Sequence, residues 1–294
     1  MSTKKWGFDV RELESKIRPQ DDFFHHVNKR WMAKNPVPAN ESRWGSFMIL
    51  RYDSDKKLHA ILEELEGKRS LPTGSPERII RDFYRSGMDI KRRNALGLRP
   101  LALLRRQITD IDSLNSLQAV VASLHRIGVG VLWGMGIDQD AKNSSRYLLY
   151  LYQDGIGLPD RDYYLKSDTE SVRVRSAYQT HVAKLFTLMG RTPTQATRDT
   201  EVVLRIETAL AKAMMKKEDA RDTEKTYHKV SVSNLARGAK NIDWKEYLKR
   251  SSAKDVKEVI SMQPDFLAAV DRMLSSVSLE DWKVYLEFHL VNDF

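Results

Sequence analysis

The sequence predicts a mainly α-helical protein, a compact helix-dominated body with one small β-hairpin inserted. Three observations predict it. Apolar residues recur at i, i+3, i+4 and i+7 through most of the chain, the spacing that lines one face of a helix. β-Branched and aromatic residues concentrate in a single stretch, 129–153. Gly and Pro are sparse, 14 and 9 in 294 residues, so few points interrupt the helical pattern.

Taken in order, an Asp-rich start predicts a capped helix over 21–34, which Pro36 and Pro38 then stop. Leu58, Ile61, Leu62 and Leu65 predict an amphipathic helix over 54–66. Pro76 suits a first helical position and opens a helix over 76–93. Leu114, Leu117, Val121 and Leu124 share one face of a helix over 112–126. The runs VGVLWGMGID and RYLLYLYQD, joined by the turn residues AKNSS, predict the hairpin. Helices over 168–190 and 198–216 follow, the first with His181 on its apolar stripe as a core histidine. The last third alternates short helices with loops, and 278–294 reads as a final helix. No internal repeat, heptad array or Gly/Ser linker stands out.

Composition excludes several classes. With 41% hydrophobic and 30% charged residues, the chain is neither disordered nor fibrous. A net charge of +9 over this length is moderate. Zero Cys removes disulfides, cysteine–zinc sites and a cysteine nucleophile, and fits a reducing, cytoplasmic setting. No stretch approaches the ~18 apolar residues of a membrane span, so no membrane partner is expected. The basic clusters 91–93, 105–106 and 216–217 read as solvated faces, with no nucleic acid implied.

Metal chemistry finds no support in the residues. The histidines, at 25, 26, 59, 125, 181, 228 and 289, contain no His-Glu-x-x-His spacing. Gly128, Gly130, Gly134 and Gly136 miss the dinucleotide fingerprint by one residue, and no Gly-x-Ser-x-Gly elbow occurs. The most informative segment is ANESRWGSFMILRYDSD at 39–55. Arg43 and Arg51 flank Trp44, Phe47, Ile49 and Leu50, and their spacing would let them share one helix face. Two readings stand. Arg43 pairs with a local acid while Trp44 and Phe47 fill core, or a guanidinium beside an exposed aromatic receives a peptide carboxylate through its planar fork.

Four blocks in order carry a family resemblance: DDFFHHVNKRW with PVPANESRWGSFMILR, then GLPDRDYYL, then KKEDARDTEKTYHKVSVSNL, then LEDWKVYLEF. Together they resemble the N-terminal portion of the neprilysin and endothelin-converting-enzyme family of zinc metallopeptidases, over 20–294 with 1–19 as an N-terminal extension. Lys29 departs from the family's usual Gly, His26 from a common aromatic, and Met48 stands where some relatives carry an acid. The resemblance implies a helical lobe that caps a cavity for short peptides. Arg43 would hold the substrate's C-terminal side, Phe47 would line the pocket beyond the scissile bond, and Arg51 would lie near the same subsite. Members are about twice this length or more, and their zinc ligands belong to the later part. The implication is therefore no catalytic residue, metal site or cofactor in this chain, with zinc supplied by a separate or lost catalytic lobe. A non-catalytic peptide- or protein-binding module derived from such a peptidase is the alternative.

Overall fold

In the computed structural model, which describes residues 10–41 and 43–294, helices begin where the sequence supplies a cap. The Asp22 carboxylate accepts from the His25 amide at 2.9 Å and starts α1, Phe23–Lys34. Ser75 caps α3, Pro76–Met88, with Pro76 in its first turn. Ser113 and Ser116 cap one another's amides at the start of α6, Leu114–Arg126, and Thr192 and Gln195 do the same for α9, Pro193–Ala213. Such caps satisfy amides that the first helical turn leaves without partners.

The chain divides into two compact units, one ending at Ala95 and one starting at Leu96. The first holds α1, α2 (Ser46–Gly67) and α3, and α4 (Ile90–Leu96) runs up to the junction. Helix α2 starts eight residues before the expected 54, because Ser46–Asp53 continues the same register behind an extended Gly45. The expected 76–93 helix is broken at Asp89. Its amide caps the end of α3 on Arg85 O, and its carboxylate takes the Arg92 amide at 2.9 Å to start α4. Among the described residues of this unit only Leu65 and Arg81 are buried. Residues 1–9 of the N-terminal extension, and Ser42 of the Arg43 block, lie outside the described residues.

The second unit carries the core. After α5 (Ala102–Thr109) and α6, β1 (Trp133–Asp140) and β2 (Asn143–Gln153) form the expected hairpin, with Trp133 opposite Gln153 and Ile137 opposite Leu149. The register shifts at Gln139/Asp140, leaving a turn shorter than AKNSS. The hairpin is not isolated. After α7 (Asp162–Leu165), α8 (Thr169–Leu188), α9 and α10 (Thr223–Thr226), the short β3 (Lys229–Ser231) and β4 (Glu258–Ser261) complete a four-stranded sheet ordered β1-β2-β4-β3. Strand β4 runs parallel to β2 and antiparallel to β3. Gly134 in β1 leaves room for the Tyr152 ring across the ladder, where a Cβ would come within 1.9 Å of it. That close approach, rather than a phosphate, explains this glycine.

Helices α11 (Val232–Gly238), α12 (Trp244–Arg250), α13 (Pro264–Ser276) and α14 (Leu279–Asp293) complete the unit. One apolar cluster gathers Trp133, Val121, Ile206, Leu210, Trp244 and Trp282 around the sheet. A second gathers Tyr178, Val182, Phe186, Val203 and Phe288. Helices α9 and α14 contribute side chains to both clusters and so run between them. His181 is not a core residue: its side chain is exposed, with Nε2 2.8 Å from Asn292 Oδ1 and its ring stacked on Tyr178. Among the described residues no helix is long and apolar enough to cross a membrane.

Candidate functional site

The residues singled out at 43–51 lie where the chain turns from a loop into α2. Arg43 and Trp44 precede the helix, Gly45 is its extended N-cap without a side-chain cap, and Phe47 sits in the first turn. The expectation that Arg43 and Arg51 share a helix face is therefore corrected. The helix begins at Ser46, so helical spacing does not reach back to Arg43. No acid stands in the first turn and Gly45 provides no side-chain cap, so no charge within that turn offsets the positive end of the helix dipole.

A small polar framework holds the loop against the helix. The Tyr52 hydroxyl donates to Glu41 Oε1 at 2.6 Å and accepts from Asn40 Nδ2 at 3.2 Å. The hydrogen bond to Glu41 holds the Tyr52 hydroxyl above its ordinary pKa, so it remains a donor. Trp44 packs edge-on against the Tyr52 ring, with centroids 5.2 Å apart. Arg51 lies 3.8 Å from both Glu41 Oε1 and Asp55 Oδ2, and its guanidinium stands 5.7 Å from the Tyr52 ring centre. The local acid expected for Arg43 is thus taken by Arg51. Arg43 itself is exposed and makes no hydrogen bond or ion pair with the described residues. Phe47, offered as core in the simpler reading, is 88% exposed.

The structure therefore brings a guanidinium without a partner among the described residues, an exposed phenyl ring and a helix start without an N-cap side chain into one short segment. Arg51 is committed to its two carboxylates. The spacing argument missed Glu41, which braces the framework, and missed the open helix terminus. Gly45-Ser46 followed by a turn without acids was the signal for that terminus.

The sequence profile of peptidase family M13 matches residues 19–294. The chain belongs to peptidase family M13. Endothelin-converting enzyme 1 of Cavia porcellus is 30% identical over 248 residues, which cover 81% of this M13 chain and 32% of that protein. Endothelin-converting enzyme-like 1 of Homo sapiens is 24% identical over 301 residues, covering 97% of this chain and 38% of that protein. A Mycobacterium tuberculosis zinc metalloprotease, solved with an inhibitor, superposes with a TM-score of 0.85 at 29% identity, over 96% of this chain and 43% of that one. The M13 chain thus spans less than half the length of these relatives.

Zinc is the metal this family implies, and the residues present do not fit it. Among the described residues no group of three or more His, Cys, Asp or Glu side chains could hold a metal ion. A catalytic zinc takes three protein ligands and an open position. The buried pair that comes nearest is His289 Nε2, 3.0 Å from Glu207 Oε1 but off the hydrogen-bond line. Glu207 is otherwise occupied: it accepts from the Tyr178 and Tyr164 hydroxyls, both at 2.8 Å, and from the Gly157 amide at 3.1 Å. Burial, then the Glu207 charge, pushes both phenols far above their ordinary range, so both remain donors. The cluster pins the GLPDRDYY segment to α9; it does not make a metal site.

Proposed function

We propose that this M13 chain is the peptide-gripping, substrate-enclosing part of a zinc metalloendopeptidase that acts on oligopeptides. Catalysis then requires a zinc lobe that these residues do not provide. The observation that carries the reading is the exposed Arg43, without a partner among the described residues, four positions before the exposed Phe47 at the start of α2, whose N-cap Gly45 offers no side-chain cap. A peptide's terminal carboxylate there would meet a two-pronged donor and the helix dipole together, and an apolar side chain would lie against Phe47. Arg51 would lie near the same subsite, where it braces Glu41 and Asp55. Supporting this are relatives named as endothelin-converting enzymes and a zinc metalloprotease solved with an inhibitor.

Calorimetry with short peptides tests the grip. Peptides with a free carboxylate are expected to bind more tightly than their C-terminal amides. Arg43→Ala should weaken the free-acid form by about 1.5–3 kcal/mol, the range for a hydrogen bond to a charged group, and leave the amide nearly unchanged. Equal losses on both forms would remove the carboxylate reading. The rival, a binding module without catalysis, shares this grip. It separates on reconstitution with an M13 zinc lobe, where only the peptidase reading expects cleavage of a fluorogenic peptide.

A further inference from the structure

Strand β4 ends in a side chain that the core does not satisfy. Ser261 is 2% exposed, and its Oγ has no hydrogen-bond partner among the described residues. Leaving a buried hydroxyl unpaired destabilises a fold. Alternation along β4 puts Ser261 on the same face as Val259, which packs in one apolar cluster with Leu235 and Leu267. Between α11 and the start of α13 that face opens into a cleft of about 370 Å³. Val230, Leu235, Ala239 and Leu267 wall it, and Ser261 lines it with them. The volume and the makeup, mostly apolar with few polar groups, are those of a small-molecule site.

Charge at the rim selects the ligand. His228 and Asp265 belong both to this cleft and to an adjoining one of about 440 Å³, which Asp219 and Lys225 also line. Asp219 and Lys225 form an ion pair and cancel. The Asp265 carboxylate is exposed and makes no hydrogen bond or ion pair with the described residues. With His228 neutral, the shared rim is therefore negative. Asp265 also stands in the first turn of α13, where it offsets the helix dipole that an anion would otherwise use. The Ser261 amide donates to His228 O at 2.9 Å, so Ser261 sits next to this rim. We infer that the cleft binds a small apolar amine, one aromatic or branched apolar body carrying one primary ammonium group. The body lies between Leu235, Ala239 and Leu267. The ammonium, with three donors, gives one to the Asp265 carboxylate and one to Ser261 Oγ. The inference does not rest on the proposed function.

The probe is 2-phenylethylamine, titrated into the 294-residue chain and followed by heteronuclear NMR. Saturable shifts are expected at the amides of Leu235, Ala239 and Ala268, which line the cleft. The alcohol 2-phenylethanol keeps the body and loses the charge. It should bind about fivefold more weakly, the upper range for an exposed ion pair. The anion 3-phenylpropionate should shift nothing. Asp265→Asn should bring the amine down to the alcohol and leave the alcohol unchanged. Ser261→Ala should weaken amine and alcohol alike by about fivefold, one hydrogen bond's worth. In the free chain the same variant should hold or raise the thermal midpoint, because it removes an unpaired buried hydroxyl.

No saturable shift at those three amides would overturn the inference. So would amine binding that the carboxylate matches, or that either variant leaves unchanged. A lower midpoint for Ser261→Ala overturns it whatever the affinity, since the hydroxyl then has a partner inside the fold. Shifts of the same amides on dilution without amine would make the cleft an interface between copies of the chain, and the amine site would be abandoned.

Discussion

Arg43 and Arg51 show how one side-chain type takes two jobs according to its neighbours. Arg51 stands between two carboxylates and over a ring, whereas Arg43 meets none of these. Arg43→Lys tests what the fork contributes: a lysine keeps the charge but donates as a point, so it should recover only part of the affinity lost in Arg43→Ala. Phe47→Ala is expected to leave the thermal midpoint unchanged, because an 88% exposed ring loses little burial, while peptide affinity measured by calorimetry falls. At Glu207 the balance reverses. Removing its carboxylate by Glu207→Ala strands two buried phenols and the Gly157 amide, and urea unfolding should show a loss of about 2–6 kcal/mol, roughly 1–3 for each stranded phenol. Sequence could reach Arg43 and Phe47 because their block is distinctive. It offered a clue to Glu207 as well, since this residue falls on the Val203–Leu210 stripe. An acid on an apolar stripe has a partner, but which tyrosines provide it depends on α7 and α8 folding back, and no local pattern encodes that.

Element boundaries were legible where a local interaction and the apolar pattern coincide. Ser113 and Ser278 act within their own turns, so the starts of α6 and α14 follow from short-range chemistry; α9 begins at Pro193, five residues before the expected 198, because Thr192 and Gln195 cap a polar first turn that the apolar pattern does not mark. The break at Asp89 was harder, because the apolar pattern continues through it and only the double use of Asp89 separates the helices. Strands β3 and β4 are three and four residues long, too short for a period to show; β4 exists as a strand because β2 offers it an edge, and β3 because β4 does. Beyond the hairpin, Gly155 marks another long-range constraint. It takes φ +87°, and a Cβ there would lie 2.4 Å from the Leu132 amide nitrogen and 2.6 Å from the Tyr285 hydroxyl. That hydroxyl donates to Gly155 O at 2.7 Å and accepts from the Leu132 amide at 3.1 Å, bracing Leu132 at φ 58°. Gly155→Ala therefore adds left-handed strain to overpacking, and a loss of about 1–3 kcal/mol in chemical unfolding is expected from the overpacking alone.

Over the whole chain, charge and burial set how stability responds to acid. Asp22, Asp82, Asp140 and Asp168 all have carboxyls held below the usual range, chiefly by hydrogen bonds from a neighbouring amide or guanidinium. For such groups the stabilisation is present above the unfolded value, near 4, and is lost as pH falls through the folded value. His125 acts earlier. Burial pushes its pKa down, and its neutral ring is held with Nε2 2.8 Å from Val131 O and Nδ1 2.7 Å from the Tyr247 hydroxyl. Below about pH 6.5 an unfolded histidine takes up a proton that the folded one refuses, so stability falls with pH until the folded value is reached. Urea unfolding between pH 7.5 and 5 should therefore show a loss approaching about 1.4 kcal/mol per pH unit from this one group. In His125→Gln that slope should flatten, while the steeper loss below pH 4 remains, because the carboxylates and the rising net positive charge are untouched. A wild-type profile that is level from pH 7.5 to 5 would mean that His125 titrates alike in the folded and unfolded chains, and the buried neutral ring would then have to be abandoned.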